Sequence, residues 1–255
     1  MKKTSFLFSI ASALLLAGTP VANAQVTFSD SFDTLDSGVA LDSLPQWEIV
    51  SGSSYISDGA GEIVPPTGAR NITATTASTI NWSGEDFTMT VILDLHGSTN
   101  ANTAGLAFGI EDSDNYYRVF TTASTGTLAF TGSINGSSFA QSLYYKTGMY
   151  DNSGETAEVE KLSITVAYAS TNSEFTVTYT VVSGSLAGTT LATTTVTDTT
   201  FSSGLFGLFS NYNGTIDIDS YSVTVIPESK SFALLLGLPA LTFLAWRRHK
   251  LKPRR

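Results

Sequence analysis

Residues 161 to 168 read KLSITVAY, and residues 174 to 181 read EFTVTYTV. In the first stretch Leu162, Ile164, Val166 and Tyr168 alternate with Ser163, Thr165 and Ala167. In the second, Phe175, Val177, Tyr179 and Val181 alternate with a ladder of threonines. A side-chain period of two puts the apolar set on one face of a strand and the hydroxyls on the other. This is the pattern of an antiparallel sheet with one buried and one wet face.

The same reading extends to Asp86 to Leu95, Ala104 to Ile110, Tyr116 to Thr122, Thr189 to Val196, Gly204 to Ser210 and Thr215 to Val225. Turn-forming clusters separate them at Asp112 to Asn115, Ser133 to Ser138, Ser170 to Ser173, Ser183 to Gly188 and Asn211 to Gly214. Closely spaced strands with no convincing amphipathic helix predict an all-β, two-sheet antiparallel jelly-roll sandwich. No fixed repeat is visible, which disfavours a propeller or solenoid. The polar stretch Lys146 to Glu160 is expected to form a mobile rim.

The two ends have a different character. Lys2 and Lys3 precede an apolar run from Phe6 to Ala17 and the small-residue site Ala22-Asn23-Ala24, which reads as a secretory signal peptide over residues 1 to 24. At the other end Pro227-Glu228-Ser229 leads into 15 apolar residues, 232 to 246, and then Arg247-Arg248-His249-Lys250. Such a run spans only about 22 Å as a helix, short for a hydrocarbon core of about 30 Å, and Pro239 weakens it further. A temporary membrane stop fits better than a permanent anchor, the plainer alternative.

Between these ends lie residues 25 to 226, enough for one large β domain. Nine of the 13 Lys and Arg belong to the ends, leaving Arg70, Arg118, Lys146 and Lys161 against 21 Asp and Glu, a net charge of about −17. A domain of that charge repels phosphate backbones, so nucleic acid is not an expected partner, whereas divalent cations are admissible. The chain has no cysteine, which removes thiol chemistry, and His96 alone within 25 to 226 makes a His-rich zinc site improbable.

Several patterns in 26 to 226 resemble the concanavalin A-like lectin and glucanase superfamily, a jelly roll of two antiparallel sheets. They are the opening FSDSF (Phe28 to Phe32), Trp47, the turn Asp58-Gly59-Ala60-Gly61, the stretch GLAFGIEDSDNYYRVF (Gly105 to Phe120) and the ending GLFGLFSNYNGTIDIDSYSVTV (Gly204 to Val225). An immunoglobulin-like sandwich is the runner-up, less favoured because about 100 residues suffice for one. The tail resembles a PEP-CTERM sorting signal, with Ser229 where that family has its second proline. That resemblance implies an exosortase-type processing enzyme as partner, with Pro227, Glu228, Arg247 and Arg248 carrying the signal. It also implies insertion in the inner membrane before processing, and a final place in the cell envelope or extracellular matrix of a Gram-negative bacterium.

Glycoside hydrolysis needs two carboxylates facing each other in a cleft. The E-x-D-x-x-E strand of the laminarinase-type members is not found: Asp217-Ile218-Asp219 lacks both glutamates, and Glu158-Val159-Glu160 lacks the central aspartate. Solvated positions are the better reading of both, and no catalytic residue is assigned. In the glucanase branch an Asp of the last strand, with oxygens from near the N-terminus and an early Gly turn, binds a structural calcium. The resemblance carries that role to Asp219, Asp30 and Gly59, with a merely solvent-facing Asp219 as the alternative.

Sugar binding would use exposed aromatics with polar neighbours. Tyr116, Tyr117, Arg118, Tyr144 and Tyr145 are the candidate glycan contacts, with Trp47, Trp82 and Tyr212 beside them; adjacent tyrosines must point to opposite faces of a strand. Core packing competes for each aromatic. The expected function is an exported, noncatalytic jelly-roll protein that associates with extracellular polysaccharide. A glycan-active hydrolase or lyase is the alternative, and an adhesin for another protein is a third.

Overall fold

The computed structural model describes residues 25–67, 70–76, 82–95, 102–122, 126–145, 158–211 and 216–226, with side chains throughout except over 141–145. In chain order the strands are β1 (Val26–Asp30), β2 (Trp47–Ser51), β3 (Ile56–Ser57), β4 (Ile63–Val64), β5 (Asn71–Thr75), β6 (Asp86–Asp94), β7 (Thr103–Ile110) and β8 (Tyr116–Thr122). They continue as β9 (Thr127–Ile134), β10 (Ser137–Tyr145), β11 (Lys161–Ala169), β12 (Glu174–Ser183), β13 (Thr190–Thr197), β14 (Leu205–Asn211) and β15 (Asp217–Ile226). All eight segments read as strands from the sequence are strands, with ends shifted by at most two residues.

The strands form two antiparallel sheets. One runs β13-β12-β11-β6-β15-β4-β3, with β1 also paired to β15; the other runs β10-β9-β8-β7-β14-β5-β2. The chain changes sheet eight times, between β1 and β2, β2 and β3, β4 and β5, β5 and β6, β6 and β7, β10 and β11, β13 and β14, and β14 and β15. The last strand therefore lies in the interior of the first sheet, between β6 on one side and β1 and β4 on the other.

The core fills the space between the sheets. Leu162, Ile164 and Val166 of β11 and Phe175, Val177, Tyr179 and Val181 of β12 are buried there, opposite Leu106, Phe108, Tyr117, Val119 and Phe130 of the second sheet. Trp82 and Trp47 belong to this core. Trp82 meets Tyr168 edge-on at 4.9 Å between ring centres, and Trp47 meets Tyr221 at 5.3 Å. Such pairs add about 0.5–1.5 kcal/mol each beyond the area they bury. Neither tryptophan offers a ring to a sugar.

Seven strands are present that the sequence reading did not assign: β1 to β5, β9 and β10. The stretch Ser133 to Ser138, read as a turn cluster, is mostly strand. Its turn is only Asn135-Gly136, with φ of 49° and 75°, and Ile134 pairs directly with Ser137. Two positive-φ residues in a two-residue loop make the tight turn whose twist suits a hairpin, so the serines on either side remain in the ladder.

Tyr212, His96, Lys146 and the rest of the expected rim as far as residue 157 lie outside the described residues, as do the signal peptide, Pro227, Glu228, the apolar segment 232 to 246, Arg247 and Arg248. Among the described residues, no helix is long and apolar enough to cross a membrane.

Candidate functional site

Strand β8 has both faces engaged. Tyr117, Val119 and Thr121 point between the sheets, while Tyr116, Arg118 and Phe120 lie on the outer face of the seven-stranded sheet. That outer face is apolar to a degree unusual for a sheet exterior. Ile72 and Ala74 of β5, Ala107 and Ile110 of β7, Tyr116 of β8 and Phe209 of β14 are buried together there, with Val50, Phe120 and Leu205 at their margin. Its floor is lined by small residues for a steric reason. A side-chain carbon on Gly105 would fall 2.0 Å from the Val119 carbonyl oxygen, and one on Gly207 would fall 2.1 Å from that of Thr73.

Arg118 is the organising side chain of this face. Its Nε donates to Thr131 Oγ1 at 2.7 Å and a terminal nitrogen donates to Ser138 Oγ at 3.1 Å, so β9 and β10 hold the guanidinium from one side. From the other it lies over the rings of Phe209, at 4.9 Å, and Phe120, at 5.5 Å. A cation over an aromatic face is worth about 0.5–1 kcal/mol when exposed and about 2 when desolvated. Burial pulls the Arg118 pKa down, and the neighbouring Tyr116 works against that shift. An arginine remains a cation regardless.

Tyr116 and Ser133 are partners across β8 and β9, and the hydroxyls of both are buried. Burial raises the Tyr116 pKa; the nearby Ser133 hydroxyl lowers it by less, and neither group completes a well-aligned hydrogen bond. The rim at this end is built from two turns. Asp112 accepts from the Asp114 amide at 2.7 Å and from Asn115 Nδ2 at 2.9 Å, which holds its carboxyl below the usual range. The Asn135 amide donates to Asn115 Oδ1 at 3.0 Å, tying the β9–β10 turn to the β7–β8 turn, and Arg70 pairs with Asp114 at 3.3 Å.

The candidate glycan residues therefore separate. Tyr116 and Arg118 share the outer face. Tyr117 does not: it is in the core, where its hydroxyl donates to Asp198 and accepts from the Phe201 amide at 3.0 Å. Tyr144 and Tyr145 fall in β10, opposite Leu128 and Thr127 of β9, and their side chains lie outside the described residues. Phe120, Phe209, Thr131 and Ser138 were missed by the sequence reading. The one available signal was Arg118, one of four cations in residues 25 to 226.

The residues assigned to calcium meet other partners. Asp30 accepts from the Phe32 amide at 3.0 Å and from Trp47 Nε1 at 3.2 Å, Gly59 sits in its turn with φ of 82°, and Asp219 is ion-paired with Lys161 at 2.5 Å. Among the described residues no group of three or more His, Cys, Asp or Glu is placed to hold a metal ion. A hard dication wants six to eight oxygens around it, and an ammonium stands where Asp219 would offer one. As they stand, the carboxylates of Asp30 and Asp219 are committed to other donors.

No family model matches the chain, and no curated protein matches it. Solved structures do. The chain is similar to the GH43 protein BlXynB from Bacillus licheniformis, with 15% identity, a TM-score of 0.52, and coverage of 78% of this chain and 39% of that one. The exoplasmic/lumenal domain of VIP36 in its metal-free form matches at 13% identity, a TM-score of 0.51, and coverage of 80% and 92%. The lectin UEA-II complexed with galactose matches at 10% identity, a TM-score of 0.50, and coverage of 78% and 98%. The fold is concanavalin A-like. The chain thus corresponds to nearly all of the VIP36 domain and of UEA-II but to well under half of BlXynB.

Proposed function

We propose that this chain is an exported, noncatalytic glycan-binding protein that takes a saccharide on the outer face of the seven-stranded sheet, around Arg118. The observation that carries this reading is the guanidinium held by Thr131 and Ser138 above the rings of Phe120 and Phe209. Sugars are recognised by aromatic and aliphatic surface against their C–H faces and by a few fixed polar groups against their hydroxyls. The half-buried Phe120, Val50 and Leu205 at the margin of that floor offer the apolar contact, and the anchored guanidinium with the Asp112, Asp114 and Asn115 rim offers the polar groups. The fold it shares with UEA-II, a lectin solved with galactose, supports a saccharide as ligand.

Delivery rests on the sequence of the ends. Residues 1 to 24 export the chain across the inner membrane. The tail from Pro227 and Glu228 to Arg247 and Arg248 holds it there for an exosortase-type enzyme. The processed protein then associates with extracellular polysaccharide in the envelope or matrix of a Gram-negative bacterium.

A glycan-array and hydrolysis screen on the full chain in mild detergent tests the reading, with Arg118→Ala beside the wild type. Binding without turnover, weakened at least tenfold by the substitution, is the expected result. Turnover would favour the second reading, a glycan-active enzyme, which the likeness to part of a GH43 protein supports. Absence of any glycan binding would remove both. The mass of the exported protein tests the tail: loss of the segment beyond Glu228 is expected, and an intact C-terminus would mean a permanent anchor.

A further inference from the structure

Lys161 opens β11 with its ammonium among three carboxylates. Nζ lies 2.5 Å from Asp219 Oδ1, 2.9 Å from Glu62 Oε1 and 3.4 Å from Asp94 Oδ2. The four groups come from four elements: Glu62 just before β4, Asp94 at the end of β6, Lys161 at the start of β11 and Asp219 inside β15. None is a freely solvated surface charge. The side chains are 4% exposed for Asp94, 13% for Glu62, 28% for Lys161 and 31% for Asp219.

The stoichiometry matches the ammonium. Lysine carries three N–H donors and no acceptor, and here each of three carboxylates lies within ion-pair reach of it. Burial by itself lowers the Lys161 pKa, but the hydrogen bonds to Asp219 and Glu62 and their charges outweigh it, and the net shift is upward. The cluster still has two more negative charges than positive. Burial first, then the charges of Asp94 and Asp219, raise the Glu62 pKa against the opposing pull of Lys161.

The resemblance to glucanases placed a calcium near Asp219 and the Gly59 turn. Those elements do meet: the β3–β4 hairpin carrying Gly59 is joined to β15 through the pairing of Ile63 with Ile218. The cation that joins them is a side chain. We propose that the Lys161 ammonium is the resident cation of the Glu62, Asp94 and Asp219 cluster, holding the β4, β6 and β15 corner in place of a divalent ion. Without that ammonium, the carboxylates of Glu62, Asp94 and Asp219 are expected to draw together around a calcium ion, which they are not placed to do in the wild type. The inference is independent of the glycan reading, because the cluster lies on the other sheet.

The test is thermal melting of the full chain in mild detergent, with millimolar calcium or with a chelator at constant ionic strength. The wild type is expected to melt at the same temperature in both. Lys161→Met keeps the apolar stem and removes the charge. It is expected to melt roughly 5–10 °C lower in chelator, as follows from stranding partly buried carboxylates in a domain of this size, and to recover at least half of that loss in calcium but not in sodium.

A chelator-sensitive or calcium-stabilised wild type would overturn the proposal, because the corner would then already hold a metal. A Lys161→Met protein as stable as wild type in chelator would overturn it too, as would one that calcium does not rescue. Lys161→Met/Asp219→Asn keeps the test decisive if the single variant fails to fold. With one carboxylate fewer it is expected to fold and to melt between the other two in chelator; melting no higher than the single variant, or failing to fold even with calcium, would refute the cluster's dependence on a cation.

Discussion

The two sheets present opposite exteriors. Across the first sheet, residues in register form a row of hydroxyls spanning six strands, Thr193, Thr178, Thr165, Thr90, Ser222 and Ser29. The adjacent row is Thr195, Thr176, Ala167, Thr88, Thr224 and Thr27. Neighbours bond to one another, Thr90 with Thr165 at 3.1 Å and Thr27 with Thr224 at 3.2 Å, and the face is wet. The outer face of the second sheet carries Gly105, Ala107, Gly207, Phe209, Tyr116 and Arg118, and most of it is buried. One exterior satisfies itself and water. The other packs apolar side chains around an anchored guanidinium and leaves Phe120, Val50 and Leu205 half-buried at its margin, and that margin is where a ligand gains most.

Substitutions of like kind on the two faces should separate them. The largest effect is expected from Gly207→Val, whose new carbon meets the Thr73 backbone, an atom that cannot rotate away. The cost is about 3 kcal/mol or more, read as a lower midpoint in urea. Ala167→Val, in the middle of the hydroxyl face, should change stability by less than about 0.5 kcal/mol. Equal costs would break the contrast.

Next is Arg118→Ala, expected to cost about 1–2 kcal/mol through its ring and hydroxyl partners, with loss of glycan retention on an affinity column. Thr178→Ala, across the sandwich, should leave retention unchanged.

A smaller effect concerns pH. The Glu62 pKa is raised in the fold, mainly by burial. The folded state therefore holds that proton more tightly than the unfolded state, and the group's contribution to stability rises as pH falls through its raised value. Glu62→Gln should remove that rise, so its melting temperature should vary less with pH than that of wild type between neutrality and the carboxylate range. A steeper dependence in the variant would reverse the assigned sign. The smallest effect is expected from Thr90→Val, within about 0.5 kcal/mol and without consequence for glycan binding.

How much could be read beforehand differs between the faces for the same reason. On the first sheet, apolar and hydroxyl residues alternate, so β11 and β12 announce themselves and show which side is wet. On the second sheet β7 is buried along its whole length, and TAGLAFGI shows a strand without showing which face is the core. Tyr116 and Tyr117 follow from this: alternation says that they diverge, and only the packing of Phe108, Phe130, Phe175 and Phe201 around Tyr117 says which one enters the core. Short strands such as β3 and β4, two residues each, carry too few side chains for any period to be visible. The Asn135-Gly136 turn was legible in principle, since that dipeptide favours the paired positive φ values of a hairpin.

By itself, the sequence determined the class of the fold, the alternating strands and the acidic character of residues 25 to 226, because these depend on spacing and composition along the chain. It also marked Arg118 as a rare charge. Only the tertiary structure decided that Arg118 sits over Phe209, that Tyr117 is withdrawn into the core, and that Asp219 meets Lys161 from 58 residues away. A period of two assigns a residue to one of two faces. Which face is enclosed, and which distant charge stands opposite, is set by strand order across the sheets, and those pairings leave no mark in local spacing.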